Sequence, residues 1–132
     1  MPIINVLQYD DDAQEAIAEI ATSLHELEQH PKVLLRVFCH PMSTPEIIGK
    51  TSLFGFLVTN IVSEKALQTP QKTNCGCFSY RLFARVIDVR NSRVQIGDIE
   101  IELDCPIPKD ILENSYVSFD VIRLDLKDTE TD

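Results

Sequence analysis

The chain has 132 residues, of which 44% are hydrophobic and 25% are charged. This length and balance favour one globular domain and argue against general disorder. The 21 acidic and 12 basic residues give a formal net charge of −9. That charge argues against sequence-independent binding of phosphate backbones, because such binding depends mainly on lysine and arginine.

The sequence shows neither a charged leader followed by an apolar stretch nor an apolar run of about 20 residues. We therefore expect an intracellular protein, in the cytoplasm or the nucleus, that makes no contact with a membrane. Four cysteines in so short a chain could form a disulfide framework only in an oxidising compartment. Reduced cysteines are expected here.

The first predicted element is an amphipathic helix over residues 12–29. Asp12 and Glu15 have the spacing of a capping box, and Pro31 disfavours helical geometry in the residue before it. Between these signals, apolar residues recur at steps of three and four and would share one helix face. They are Ala13, Ala16, Ile17, Ile20, Ala21, Leu24 and Leu27.

Five β-strands are expected after the helix, from apolar runs and from the alternation of apolar and polar residues. They cover residues 33–38, 53–62, 78–90, 93–103 and 116–126. Gly55 in the second strand indicates a bulge or a close approach of two backbones. The alternation changes phase at Gly97, which indicates a bulge in the fourth strand. The polar end, residues 127–132, is predicted to be a flexible acidic tail.

From Leu53 onward the pattern resembles the oligonucleotide/oligosaccharide-binding (OB) fold. A glycine lies in its first strand, a bulged hairpin spans residues 78–103, and a proline-led helical turn precedes SYVSFDVIRLDL. The small acidic OB subunits of replication protein A-like assemblies are similar in size. A fifth barrel strand after Leu126 is missing, and residues 33–38 would have to take its place.

The predicted fold class is α+β and mainly β. An N-terminal amphipathic helix is followed by a curled five-stranded antiparallel sheet or a small OB-like barrel. One domain would span residues 1–126, with its barrel-like part over residues 33–126. A resemblance at the level of the fold does not specify a function.

The candidate metal ligands are Cys39, Cys75, Cys77 and Cys105. Structural zinc sites take four Cys or His ligands, commonly in two pairs with two to four residues between the ligands. A single residue separates Cys75 from Cys77, and this spacing strains joint chelation of one ion. The favoured alternative is that Cys39 and Cys105 are small buried residues and that the Cys75/Cys77 pair lies in a loop.

The sequence contains no catalytic signature. It has no G-x-S-x-G, no phosphate-binding glycine loop and no H-E-x-x-H. Cys39 and His40 are adjacent and would point to opposite sides of an extended chain. The sequence therefore predicts a protein that is not an enzyme and that binds no cofactor.

One strand pair carries a candidate surface for single-stranded nucleic acid, in which arginines lie beside an aromatic ring. Its residues are Arg81, Phe83, Arg85, Arg90 and Arg93. The alternative interpretation is a solvated sheet face, on which these arginines pair with Glu100, Glu102 and Asp104 of the next strand. This alternative is favoured, because acidic neighbours would cancel the field that phosphate requires.

A second candidate surface would bind another protein or a second copy of the chain. It combines the apolar helix face with the apolar run at the start of the second strand, both of which must be covered. Its residues are Ile17, Ile20, Leu24, Leu27, Phe54 and Phe56. The leading hypothesis is therefore a non-catalytic interaction subunit of a complex or oligomer, and the alternative is a single-stranded nucleic-acid-binding module.

Overall fold

The computed structural model describes residues 3–10, 15–39, 51–73 and 79–126. Within these ranges the chain forms eleven β-strands in one sheet and no helix, so the predicted α+β class is wrong. The described residues are rich in strand, which is compatible with the β-type part of that prediction. The strands are β1 (Ile3–Asp10), β2 (Glu15–Ser23), β3 (Lys32–Cys39), β4 (Thr51–Phe56), β5 (Thr59–Glu64), β6 (Gln71–Lys72), β7 (Tyr80–Asp88), β8 (Arg93–Ile96), β9 (Ile99–Leu103), β10 (Tyr116–Val121) and β11 (Arg123–Leu126).

The sheet is mixed, with the strand order β1-β2-β3-β11-β4-β9-β8-β7-β10-β5, and β6 pairs with β7 beside this path. Among the described strands, β3 with β11 and β4 with β9 are parallel pairs. The predicted five-stranded antiparallel sheet or small barrel is therefore wrong in strand number and in strand direction. Alternation within a strand shows which residues are buried, but it does not show which strand lies beside it.

The predicted helix over residues 12–29 is also wrong. Glu15–Ser23 is strand β2, which pairs with β1 on one side and with β3 on the other. Ala18 and Ile20 are fully buried, and the adjacent Ala21 is only 7% exposed. Apolar side chains lie on both faces of β2, with Ala18 and Ile20 on the core side and Ile17 and Ala21 on the other. A strand of this kind can reproduce the three- and four-residue steps of a helix. The two flanking strands outweigh the helical preference of alanine and glutamate.

Two segments of the chain pair with each other twice, once on each side of an interruption. Residues 51–64 form β4 and β5, and residues 116–126 form β10 and β11. β4 pairs with β11, and β5 pairs with β10. Each segment is interrupted once, and the two interruptions meet where the N–H of Ile122 donates to the carbonyl of Phe56 at 3.1 Å.

The bulge predicted at Gly97 is a hairpin turn between β8 and β9, in which Gly97 has a φ of 57°. A Cβ at this position would lie 2.6 Å from Oγ1 of Thr22 and 2.7 Å from the carbonyl oxygen of Ser23. The N–H of Asp98 also donates to Oγ1 of Thr22 at 3.0 Å. The turn therefore packs directly on the end of β2.

The core lies on one face of the sheet. Its largest fully buried side chains come from strands β2–β4 and β7–β11 and from the residue after β2. They are Phe119, Ile20, Leu24, Leu35, Leu53, Leu82, Ile96, Ile99, Ile101 and Leu124. The described residues include no helix that could cross a membrane. The predicted tail, residues 127–132, lies outside the described residues, and the domain limits 1–126 stay a prediction.

Candidate interaction surface

Three adjacent strands, β3, β11 and β4, carry a cluster of aromatic and charged side chains opposite the core. Along each strand these side chains alternate with buried residues, which places them together on the outer face. The cluster consists of three half-buried phenylalanines and one exposed arginine. We call it the aromatic patch; its members are Phe38, Phe54, Phe56 and Arg123.

Arg123 occupies the centre of the aromatic patch, between two phenyl rings. Its Cζ lies 5.1 Å from the ring centroid of Phe38 and 5.1 Å from that of Phe56. Its Nε donates to Oδ1 of Asp125 at 2.6 Å, and its Nη2 donates to Oδ2 at 2.9 Å. These contacts fix the guanidinium while leaving 45% of the side chain exposed. The result is an ordered cation–π stack that faces solvent.

The strand pairing extends this surface to both sides. On β4, the rings of Phe54 and Phe56 are 6.2 Å apart between centroids and tilted by 48°. On β2, Ile17 lies opposite Phe38 in the ladder with β3 and is half-buried. Apolar side chains on the outer face are therefore found on β2, β3 and β4, with the charged pair Arg123 and Asp125 of β11 between them.

Beside the aromatic patch, the interruption between β4 and β5 exposes an aliphatic side chain. Leu57 has a φ of 56° and is 65% exposed. The carboxylate of Asp104 accepts the N–H of Leu57 at 2.7 Å and the N–H of Val58 at 3.1 Å. The facing interruption contributes Ile122, which is 36% exposed. We call Leu57 and Ile122 the aliphatic corner.

The six residues predicted to bind a partner divide between the outer face and the interior. Ile17, Phe54 and Phe56 lie on the outer face, in or beside the aromatic patch. Ile20 and Leu24 are fully buried in the core. Leu27 is partly buried and packs against the core from the turn after β2. The helical periodicity placed Ile17 with Ile20 and Leu24 because it assigned both faces of a strand to one face of a helix. Phe54 and Phe56 were predicted separately, from the apolar run of the second strand.

The arginines predicted to contact nucleic acid have partners within the sheet. Nη1 of Arg81 donates to Asp120 at 2.9 Å, and its Nη2 donates to Oγ of Ser118 at 2.8 Å. The guanidinium of Arg85 donates to Asn114 at 3.0 Å and to Gln95 at 2.7 Å.

The other three members of that predicted surface are dispersed. Phe83 is only 5% exposed, so its ring presents little area to a base. Arg93 lies opposite Glu102 in the ladder of β8 and β9. Arg90 lies in the exposed turn between β7 and β8. Asp104, which was expected to pair with an arginine, instead binds the two backbone N–H groups beside Leu57.

A cavity of about 40 Å³ opens on the outer face between β4, β8 and β9. Its lining is Ser52, Leu53, Arg93, Glu100, Ile101 and Glu102. Sites that enclose small organic ligands have volumes of roughly 300–1,000 Å³. This cavity has room for only a few water molecules and is too small to enclose an organic ligand of ordinary size.

Only part of the predicted metal site falls in the described chain. Cys75 and Cys77 lie outside the described residues, and of Cys39 only the backbone is described. Burial and the neighbouring charge of Asp104 raise the pKa of the Cys105 thiol, which disfavours the thiolate that a metal would need. The described residues contain no group of three or more His, Cys, Asp and Glu side chains suited to a metal ion.

Sequence reasoning missed Phe38, Leu57, Asp104 and Arg123. For Arg123 a usable signal existed, because an arginine and an aspartate two residues apart on a strand share one face. Leu57 was noted only as part of the apolar run that starts at Phe54, and its positive φ had no signal in the sequence, since it depends on the contact with Asp104.

No protein-family model, no curated protein and no solved structure matches this chain, so nothing in these comparisons supports an OB assignment.

Proposed function

We propose that this chain is a non-catalytic interaction subunit that binds another protein through the aromatic patch. The observation that carries the proposal is the guanidinium of Arg123 between the rings of Phe38 and Phe56. Arginine and aromatic residues are enriched in the energetically dominant centres of protein interfaces.

Contacts within the chain hold the guanidinium of Arg123 in the patch. The two hydrogen bonds from Arg123 to Asp125 fix a side chain that would otherwise lose rotamer entropy on association. Cation–π contacts are worth about 0.5–1 kcal/mol at exposed sites and about 2 kcal/mol when desolvated. A partner that covers the rings would therefore strengthen a contact that already exists.

The charges around the patch favour a protein over nucleic acid. The carboxylate of Asp125 offsets the charge of Arg123, and Arg36, on the same face of β3 as Phe38, lies opposite Glu19 on β2. A phosphate backbone would therefore meet a carboxylate beside each of these cations.

The test is co-purification of the tagged chain with its partner from native cells, after nuclease treatment. Arg123→Ala and Phe38→Ala should each reduce the bound partner about tenfold or more, because they break the same stack. Arg90→Ala is the matched control, since it removes an exposed arginine from a turn outside the patch. Each variant is first checked for an unchanged circular dichroism spectrum.

Two outcomes would contradict the proposal. One is a partner that binds Arg123→Ala and Phe38→Ala as well as it binds the native chain. The other is a chain that captures no protein and sediments as a monomer at all concentrations.

A further inference from the structure

Leu57 is a bulky apolar residue with a positive φ and an exposed side chain. Its φ of 56° lies in the left-handed region, where a Cβ approaches the following carbonyl oxygen. Glycine and asparagine reach this region much more easily, and a bulky side chain there is an outlier. The side chain is also 65% exposed, so it gains little from burial within its own fold.

The strained conformation is held from outside the residue. Asp104, which directly follows β9, accepts the N–H groups of both Leu57 and Val58. On the other side, the N–H of Ile122 binds the carbonyl of Phe56. Hydrogen bonds from two separate parts of the chain thus hold the backbone at Leu57 and leave its side chain at the surface. Strained residues of this kind concentrate at sites that bind ligands.

The charge beside Leu57 is the carboxylate of Asp104, which accepts two backbone N–H groups and has no ion pair among the described residues. The carboxylates of Asp120 and Asp125 are offset by Arg81 and Arg123. An apolar side chain beside an uncompensated carboxylate is complementary to an apolar patch that is flanked by lysine or arginine.

We infer that Leu57 is an anchor residue of the interface and that it packs on an apolar patch, on another protein, that is flanked by lysine or arginine. This inference rests on the proposed function, because the aliphatic corner adjoins the aromatic patch at Phe56. A second copy of the chain is disfavoured as the occupant, because each copy carries a net charge of −9.

Leu57→Asn separates the effect on binding from the effect on stability, because it should weaken binding and raise the melting temperature. Asparagine tolerates a positive φ, so the variant should melt a few degrees higher than the native chain, about as expected for relief of this strain. It also removes the aliphatic anchor, so binding should weaken about tenfold or more. A residue with only a structural role would not give this combination.

The matched control is Leu112→Asn. Leu112 is 72% exposed and lies in the loop before β10, and it is not among the residues with positive φ. The same chemical change at this position should leave both the melting temperature and binding unchanged.

A phage-displayed library of random dodecapeptides, selected on the native chain, supplies the probe. We expect the enriched peptides to combine lysine or arginine with aliphatic or aromatic residues. Their affinity for the Leu57→Asn variant should fall about tenfold or more, and their affinity for Leu112→Asn should be unchanged. Raised salt should also weaken their binding.

The inference is overturned if no peptide is enriched, if the enriched peptides are acidic, or if they bind Leu57→Asn normally. It is also overturned if the native chain associates with itself through Leu57. Failure here differs from failure of the proposed function. A cellular partner lost with Arg123→Ala but retained by Leu57→Asn would leave the aromatic patch as the interface and remove Leu57 from it.

Discussion

The hydroxyl of Tyr80 accepts a hydrogen bond from the backbone N–H of Arg36 at 2.8 Å, across 44 residues of sequence. β3 and β11 are in register only at Phe38 and Asp125, so β11 leaves the N–H of Arg36 without a ladder partner. Tyr80 is itself 4% exposed and lies at the start of β7. Its hydroxyl therefore links β3 to β7 at the point where the pairing of β3 with β11 ends.

Tyr80→Phe should destabilise the protein by about 1–3 kcal/mol, because it leaves the part-buried N–H of Arg36 without an acceptor. Urea unfolding of the native chain and the variant would measure the difference. Tyr116→Phe is the matched control, since the Tyr116 hydroxyl has no hydrogen bond among the described residues. Equal effects of the two substitutions would show that the Tyr80 hydroxyl makes no specific contribution.

Two glycines provide a matched pair of stability measurements. Gly97→Ala should cost about 1–2 kcal/mol from its φ of 57° alone, and more from the clash with Ser23 and Thr22. At Gly55, a Cβ would meet Val121 and Val58 at 3.4 Å, which is ordinary van der Waals contact. Gly55→Ala should therefore be neutral or stabilising by up to about 1 kcal/mol. Thermal unfolding would measure the melting temperatures of both variants. A Gly97→Ala variant as stable as the native chain would contradict the packing of this turn on β2.

Stability should fall at acid pH partly through Asp120. Hydrogen bonding from Asn60 and, secondarily, the contact with Arg81 lower the pKa of Asp120, although burial opposes them. Because the pKa is lower in the folded state, this contribution is fully present above the unfolded pKa, about 3.9. It is lost as the pH falls through the folded pKa.

The stability difference between the native chain and Asp120→Asn should therefore be largest near neutral pH and should shrink below about pH 4. Asn60→Gly should reproduce much of this effect. It removes the amide donor, and glycine adopts the φ of 57° found at this position without strain. Urea titrations at several pH values would measure both variants. A difference for Asp120→Asn that does not change with pH would show that the folded state leaves this pKa unaltered.

The arginines of β7 should not support binding of single-stranded nucleic acid. Arg81 and Arg85 already bind Asp120, Ser118, Asn114 and Gln95. Fluorescence anisotropy with oligothymidylate at low salt should show no saturable binding. Binding that weakens steeply with salt and disappears in the Arg81→Glu, Arg85→Glu double variant would restore the nucleic-acid hypothesis.

The alternation of residues was enough to locate much of the sheet. Phe78 to Arg90 alternates in sequence, and β7 occupies Tyr80–Asp88 within it. Residues 33–38 were expected to be a strand from their apolar run, and they lie in β3. Both patterns are local, because they depend only on neighbouring residues of one segment.

Only part of the candidate interaction surface could be predicted from such local sequence patterns. Phe54 and Phe56 were selected as an apolar run, but Phe38 and Arg123 were not connected to them. The contact between these residues requires β11 to lie between β3 and β4, and one of those pairings is parallel. No local signal specifies such a pairing between segments far apart in the chain.

The sequence by itself determined a mainly β protein, its acidic charge and the faces of its more regular strands. The tertiary structure decided the state of residues 15–23, since pairing on both sides makes a strand of a segment that also satisfies helical spacing. It also decided the left-handed backbone at Leu57, which depends on the carboxylate of Asp104, 47 residues away. Local pattern and composition depend on near neighbours, whereas these features arise from groups that meet only when the sheet is assembled.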